Sequence, residues 1–291
     1  MKPNGVILWR GASLIDGAPI VAIAVGLRAA SSNRKTGAMV QTYILRSDVD
    51  PIRAVKRGAD VSICGKCPHR GKPAPSKVSA AVSKIIGKVT TADGPHSGRT
   101  CYVNIGQGPL AVYRAFKRGR YPEAGKLGNT WGAPMDIENC GAARAVRLGT
   151  YGDPAAVPAD IWRALTRHAI GHTGYTHQWR TAPGLRSLCM ASVDSEDEAR
   201  EAWRAGWRSF RVGMPGHPAM LREETGPHAA RIESLCPASK EAGKLLTCDR
   251  CLACSGAHNG RRGSIFIPAH GGTAVMANVR RLSAIPVVVQ S

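Results

Sequence analysis

Acidic residues are scarce in this chain. Twenty Asp and Glu face 40 Lys and Arg over 291 residues, for a formal net charge of +20. That excess favours a polyanionic partner, nucleic acid first, over a merely solvated basic surface. Aromatic residues are also few, at 5% with three Phe, so the core is expected to be chiefly aliphatic. Long apolar runs are missing. The longest, residues 18–27, falls well short of the roughly 20 residues that cross a bilayer. The opening MKPNGVILWRG has no signal-peptide pattern, so a cytoplasmic protein without a membrane partner is expected. A phosphate-binding P-loop is missing too. Lys35-Thr36 in SSNRKTG lacks the required glycine spacing, leaving Arg34 and Lys35 as residues of a solvated loop that could touch phosphate.

Cysteine is what the chain has in quantity, nine in all. A chain this long is no small disulfide scaffold, and C-x2-C spacing points to metal in a reducing compartment. Cys236, Cys248, Cys251 and Cys254 read C-x11-C-x2-C-x2-C within CPASKEAGKLLTCDRCLACSGA. Four thiolates in one short segment form a complete ligand set for a zinc ion or an iron–sulfur cluster. Upstream, CGKCPHR sets Cys64 and Cys67 two residues apart, and Cys101 follows in CYV. With His69 these make a Cys3His zinc site; without it, three thiolates hold a cluster with one open iron. Two four-thiolate sites would each carry about −2, leaving a net charge of roughly +16. Cys189 reads as a packing residue in a core strand.

The pattern of elements predicts an α/β protein, a complete or partial (β/α) barrel with a C-terminal cysteine-rich metal loop. Residues 5–9, 20–25 and 39–45 read as strands, and Ser76 to Ile86 and Leu110 to Lys117 as helices. From Ala145 strand and helix alternate. Val146 to Leu148 is a strand ending in GTYGDP, followed by a helix over Pro158 to Ile170, the strand HTGYTHQW, a strand over Leu188 to Val193, a helix over Ser195 to Ala205 and a strand over Arg208 to Val212. Ser195 and Glu198 form a capping box. Ser264 to Ile267 is a late strand, and AIPVVVQS a closing edge strand or frayed end. Three regions are expected: a β-rich segment over 1–60, a β/α core with the upstream cysteine loop over 61–235, and the cysteine-rich segment over 236–291. In parallel β/α architectures the chemistry sits on loops after the strands. Candidate catalytic residues are therefore Asp153, Asp194, His177 and Arg180, with a helix cap as the commoner role for an Asp in such a turn. Arg147 and Arg211 fall on buried strands and require an anionic partner. Exposed basic groups at Arg114, Lys117, Arg118, Arg120, Arg261 and Arg262 are candidate nucleic-acid contacts.

A cysteine followed by tyrosine, opening a helix after a cysteine loop, resembles the third cluster ligand of radical SAM enzymes. Gly152-Asp153-Pro154, closing the turn after a strand, resembles the last three positions of the GGEP-like turn that holds the methionine end of S-adenosylmethionine in that superfamily. The likeness covers roughly residues 60–215, with C-x2-C-x33-C in place of the usual C-x3-C-x2-C. It implies a partial (β/α) barrel, an iron–sulfur cluster on Cys64, Cys67 and Cys101, and S-adenosylmethionine as cofactor, bound near Tyr102, Gly152 and Asp153. It also implies substrate orientation by Asp194, His177 and Arg180, and an auxiliary cluster on the C-terminal quartet. The chain is similar as well to phage-type hypothetical proteins, a likeness that implies no activity. The resulting expectation is an iron–sulfur, radical SAM-like enzyme acting on nucleic acid or a nucleotide-like substrate. Two alternatives stand beside it: a zinc-containing DNA or RNA base transglycosylase with Asp153 or Asp194 as nucleophile, and a non-catalytic zinc protein that binds nucleic acid.

Overall fold

The computed structural model describes residues 3–29, 33, 35–71, 99–125, 136–214, 233–257 and 263–284. The helix expected over 76–86, the basic residues Arg34, Arg261 and Arg262, and nearly all of the AIPVVVQS tail lie outside the described residues.

Apolar, β-branched runs form the first strands: β1 (Gly5–Ala12), β2 (Pro19–Val25) and β3 (Val40–Arg46). β1 pairs antiparallel with β2, and β2 antiparallel with β3. Asp50 then starts helix α1 (Pro51–Arg57), its carboxylate accepting from the amides of Ile52 and Arg53. Gly58, in the left-handed region, ends it, and α2 (Val61–Cys64) follows. Next come α3 (Gly108–Lys117), α4 (Ile137–Gly141) and β4 (Ala145–Tyr151), which returns parallel beside β3. Helix α5 (Ala159–Thr166) is shorter than the sequence predicts.

The single strand expected over HTGYTHQW is two strands, β5 (Gly171–Thr173) and β6 (Tyr175–Thr176), parted at Gly174. β5 completes the first sheet, ordered β1-β2-β3-β4-β5. β6 opens the second with β7 (Met190–Val193), β8 (Ser209–Gly213), β10 (Ser264–Pro268) and β9 (Glu233–Leu235), in the order β6-β7-β8-β10-β9. Every pairing in the second sheet is parallel. Helix α6 (Glu196–Arg204) joins β7 to β8, α7 (Cys248–Cys251) lies between β9 and β10, and α8 (Thr273–Ser283) follows β10. At Gly174 the amide donates to the Cys254 carbonyl and the carbonyl accepts from Met190. A Cβ there would lie 2.8 Å from the Cys189 sulfur, so the crossing between sheets has no room for a side chain. Among the described residues no strand pairing closes either sheet into a barrel, so the observed architecture is mixed α/β with two sheets that contain parallel strands. No helix among them is long and apolar enough to cross a membrane.

The main core runs through both sheets, from Val6, Ile23 and Ile44 to Leu148, Val193 and Ala202. Within it β3 and β4 are neighbours. Its strands are aliphatic as expected, but the fully buried Trp162 and Trp203 fill the helix side. Each indole N–H finds a partner: the Pro154 carbonyl for Trp162, the Ser209 and Ser264 hydroxyls for Trp203. A smaller apolar cluster joins Met190, Ile265 and Ile267 to Cys236 and Cys254.

Candidate metal centre

Parallel strands present their C-terminal ends on one side, where open α/β sheets bind ligands. The turn after β4, His177 after β6 and Asp194 after β7 all lie there. The cysteine loop that follows β3, α1 and α2 reaches the same side: the Asp153 amide donates to the Ile63 carbonyl at 2.5 Å.

Local hydrogen bonds shape that loop. The amide of Cys67 donates to the Cys64 carbonyl, and the amides of Thr100 and Cys101 both donate to the His69 carbonyl. Gln178 pins the turn from across the site, donating to the Cys64 carbonyl and accepting from the Lys66 amide. Gly65, at φ 56°, lies so close to Gln178 that a Cβ would come within 2.5 Å of its amide carbon. Three thiols separated by up to 37 positions therefore converge. Burial, reinforced by Cys67 and Cys101, pushes the Cys64 thiol well above its usual range. Burial also raises Cys101, against the pull of Arg99. Without a cation the Cys64 and Cys101 thiols stay protonated; a metal would displace the protons and favour the thiolates.

Beside the thiols lies a chain of polar side chains. Thr100 Oγ1 accepts from Asn278 Nδ2 at 2.7 Å and contacts His69 Nδ1 at 2.8 Å; His69 Nε2 meets Asp194 Oδ1 at 2.8 Å. His177 Nε2 faces Asp194 Oδ2 at 3.4 Å, too poorly aligned to count as a hydrogen bond. His69, His177 and Asp194 are the one group of three such side chains, among the described residues, whose ligand atoms all lie within 4.8 Å of one another. Burial opposes charge on Asp194, yet His177 and His69 hold its carboxyl below the usual carboxylate range. Burial also opposes charge on His177, but Cys67 and Asp194 outweigh it and hold the imidazole well above its usual range.

Several buried polar atoms around the thiols lack hydrogen-bond partners: Tyr151 Oη, Arg99 Nη2, Asp60 Oδ2 and His177 Nε2. Leaving such an atom unsatisfied costs about 1–3 kcal/mol. Tyr151 feels Cys64 and Cys101 directly, and burial raises its hydroxyl well above the usual range. Thiols beside unsatisfied donors on Tyr151 and Arg99 make a surround chemically suited to an anionic, sulfur-bound group.

The remaining candidates fall into place around this centre. Gly152, at φ 84°, packs where a Cβ would come within 2.7 Å of Ile44 Cβ. Asp153 caps the turn. One oxygen accepts from the Ala155 amide at 2.9 Å and the other from the His177 amide at 2.8 Å, while burial raises its pKa. Arg180 turns away, stacking 4.0 Å from the Trp179 ring centroid and chelating Glu201 on α6 at 2.7 and 2.5 Å. Tyr102 is exposed, and its hydroxyl accepts from the His270 amide. Arg114, Lys117, Arg118 and Arg120 are exposed on and just after α3. Beside them, a surface cavity of about 540 Å³ is lined by Arg53, Lys56, Arg57, Tyr113 and Arg114 together with Asp48 and Asp50.

The C-terminal cysteines also gather. Cys254 feels Cys236, Cys248 and Cys251, and burial pushes its thiol up to about 12. Arg208, at the start of β8 and missed by the sequence reading, holds their loop by donating to the carbonyls of Ala253, Ser255, Gly256 and Gly263. Only its burial beside a glycine-rich loop could have hinted at this. Arg211 finds its anion in the fully buried Glu233, with bonds of 3.0 and 2.7 Å. Arg147 lies 5.6 Å from the Tyr175 ring centroid. Cys140 and Cys189 are buried packing thiols, Cys140 pushed up to about 12 by burial. Compared with protein-family models, curated proteins and solved structures, the chain matches none.

Proposed function

We propose that this chain is a radical SAM-like iron–sulfur enzyme, built on a partial (β/α) barrel, that acts on nucleic acid or a nucleotide-like substrate. The observation that carries the reading is the ligand count around Cys64. Three thiols converge, while the imidazole that could complete their shell, His69, has both ring nitrogens turned to Thr100 and Asp194. Three thiolates suit a cluster with an open iron, whereas a structural zinc wants a closed shell of four.

When bound, such a cluster with S-adenosylmethionine supplies one-electron cleavage of the sulfonium C5′–S bond, releasing methionine and a 5′-deoxyadenosyl radical. The chain's own residues prepare the place. Gly152 brings backbone close to the cysteine loop, where a side chain would collide, and Asp153 fixes that turn by accepting from two amides. His177 and Asp194 lie on the same rim, 3.4 Å apart, where they would orient a substrate. Arg180, bound to Glu201, braces α6. The exposed Arg114, Lys117, Arg118 and Arg120, together with the +20 charge, favour a phosphate-bearing substrate.

The transglycosylase reading ranks below this one because it needs an unencumbered carboxylate, and both Asp153 and Asp194 are engaged. Anaerobic purification tests the proposal. Brown protein containing iron and acid-labile sulfide, which forms 5′-deoxyadenosine from S-adenosylmethionine and dithionite, is expected. Cys101→Ala should abolish that product. Colourless protein with zinc at Cys64, or iron-loaded protein that never yields 5′-deoxyadenosine, overturns it.

A further inference from the structure

We infer that His69, His177 and Asp194 hold a divalent first-row transition-metal ion, separate from the thiol centre, with coordination positions left open to an oxygen of the substrate. The ion does not depend on what occupies the Cys64 site; only the identity of the oxygen ligand rests on the reading above.

The three ligands come from three segments of the chain. His69 lies in the turn Pro68–Arg70 after α2, while His177 and Asp194 follow β6 and β7, which are neighbouring parallel strands. Each backbone is pinned before any ion arrives. The His69 carbonyl accepts from the amides of Thr100 and Cys101. The His177 amide donates to Asp153 Oδ2 at 2.8 Å, and the Asp194 amide to Glu198 Oε2 at 2.9 Å. His69 and Asp194 are buried. Ligands held in this way need little further ordering to bind.

The spacing suits one shared ion. One ligand atom from each residue lies within 4.8 Å of the others. Donor atoms that share an ion at about 2.1 Å stand roughly 3.0–3.5 Å apart. The His69–Asp194 contact of 2.8 Å is by itself an ordinary hydrogen bond. The His177–Asp194 contact is not. At 3.4 Å His177 Nε2 faces the carboxylate, buried and without a hydrogen-bond partner. A purely structural triad would align that bond, because an orphaned buried nitrogen costs about 1–3 kcal/mol. A cation between the imidazoles and the carboxylate satisfies all three. The outer contacts fit as well. Metal-bound imidazoles donate their second ring N–H to a nearby acceptor. His69 Nδ1 lies 2.8 Å from Thr100 Oγ1, which Asn278 Nδ2 holds in place at 2.7 Å.

Two imidazoles and one carboxylate select a first-row ion over calcium or magnesium, which prefer oxygen alone. Three protein ligands leave positions open, as in catalytic rather than structural sites. A divalent ion beside one carboxylate keeps a net positive charge. On the reading above, a phosphate oxygen of the substrate fills an open position, which sets the substrate beside the thiols, since His177 also contacts Cys67.

Mn(II) is the probe, because it is the weakest binder of the series and has little affinity for thiolates. Chelator-treated, unreduced protein titrated with Mn(II), followed by loss of the free-ion paramagnetic resonance signal, should show a single tight site. Electron spin-echo spectra of the bound ion should contain imidazole nitrogen, a readout that needs no variant. Asp194→Asn and His177→Ala should abolish the tight site. Thr100→Val should weaken it about 10–100-fold, the usual effect of losing an outer partner. Cys101→Ala, which removes a thiol of the neighbouring centre, should leave it intact, so the two assignments fail separately. No tight site, a bound ion without imidazole nitrogen, or tight binding retained by Asp194→Asn overturns the assignment. Loss of the ion from folded Cys101→Ala protein overturns its separation from the thiols.

Discussion

The thiols near Cys64 and those near Cys254 are the same chemical group in two different settings. Around Cys64 the neighbours are titratable and several are unsatisfied: Tyr151, Arg99, Asp60 and His177. Around Cys254 apolar side chains pack on the thiols and Arg208 is committed to four carbonyls, with Arg147 and Lys35 near Cys248 and one unsatisfied hydroxyl, Ser239 Oγ, beside Cys236. A site whose polar groups are satisfied by protein is built to stay as it is. A site with buried donors and acceptors left over is built to receive something. Under the proposed function, exchange with substrate would belong to the Cys64 end.

Breaking the scaffold of the fixed end should have the largest effect on stability. Glu233→Ala takes the hydrogen-bonded carboxylate from buried Arg211 and leaves it only Glu196, 3.9 Å away, a loss of about 3–5 kcal/mol. Chemical denaturation should show that loss, and metal should leave the C-terminal quartet before the Cys64 site, because β9 delivers Cys236. Equal loss from both sites would erase the distinction.

At the open end, the effect is smaller and depends on pH. The Asp194 carboxyl is held below its usual range, so in metal-free protein its contribution is fully present above an unfolded value of about 3.9. It is lost as pH falls through the lower folded value. Asp194→Asn should therefore cost about 1.5–3 kcal/mol near neutrality, the range for hydrogen bonds to charged groups. Denaturation curves of wild type and variant should converge on acidification. A difference that does not change with pH would mean that the imidazoles do not sense the carboxylate.

The smallest effect sharpens the same comparison. Ser195 caps α6 by accepting from the Glu198 amide at 3.2 Å, and Glu198 in turn accepts from the Asp194 amide at 2.9 Å. Ser195→Ala should cost about 1 kcal/mol, measured by thermal unfolding, and leave the metal content of the quartet unchanged.

The first three strands and α3 were legible because apolar residues cluster with strand or helix periodicity and turn residues bound them. The capping box at Ser195 was legible for the same local reason. Helix α1, β9 and α8 were not: their runs are short or mixed, and packing against neighbours stabilises what propensity alone leaves undecided. The break at Gly174 was invisible as well, since it answers to Cys189 and Leu188, which are local neighbours only in space.

At the candidate site, residue types were readable and partnerships were not. Asp153 could be read as a cap or a carboxylate for chemistry, and the amides of Ala155 and His177 decided for the cap geometry. His69 could be read as a metal ligand beside Cys67, and the fold sets its ring between Thr100 and Asp194, in a group with His177 and Asp194 whose ligand atoms lie within 4.8 Å of one another. Arg180 could be read as facing the rim, and Glu201 took it to α6.

By itself the sequence determined an excess of positive charge, the alternation of strand and helix after Ala145 and two groups of cysteines, because each is a matter of composition or short-range spacing. Only the tertiary structure decided that Cys101 meets Cys64 and Cys67, that Cys236 meets the C-x2-C-x2-C run, and which side chains are left unsatisfied beside them. Those contacts join residues far apart along the chain, and the free energy that closes such distances comes from burying the whole core rather than from any local segment.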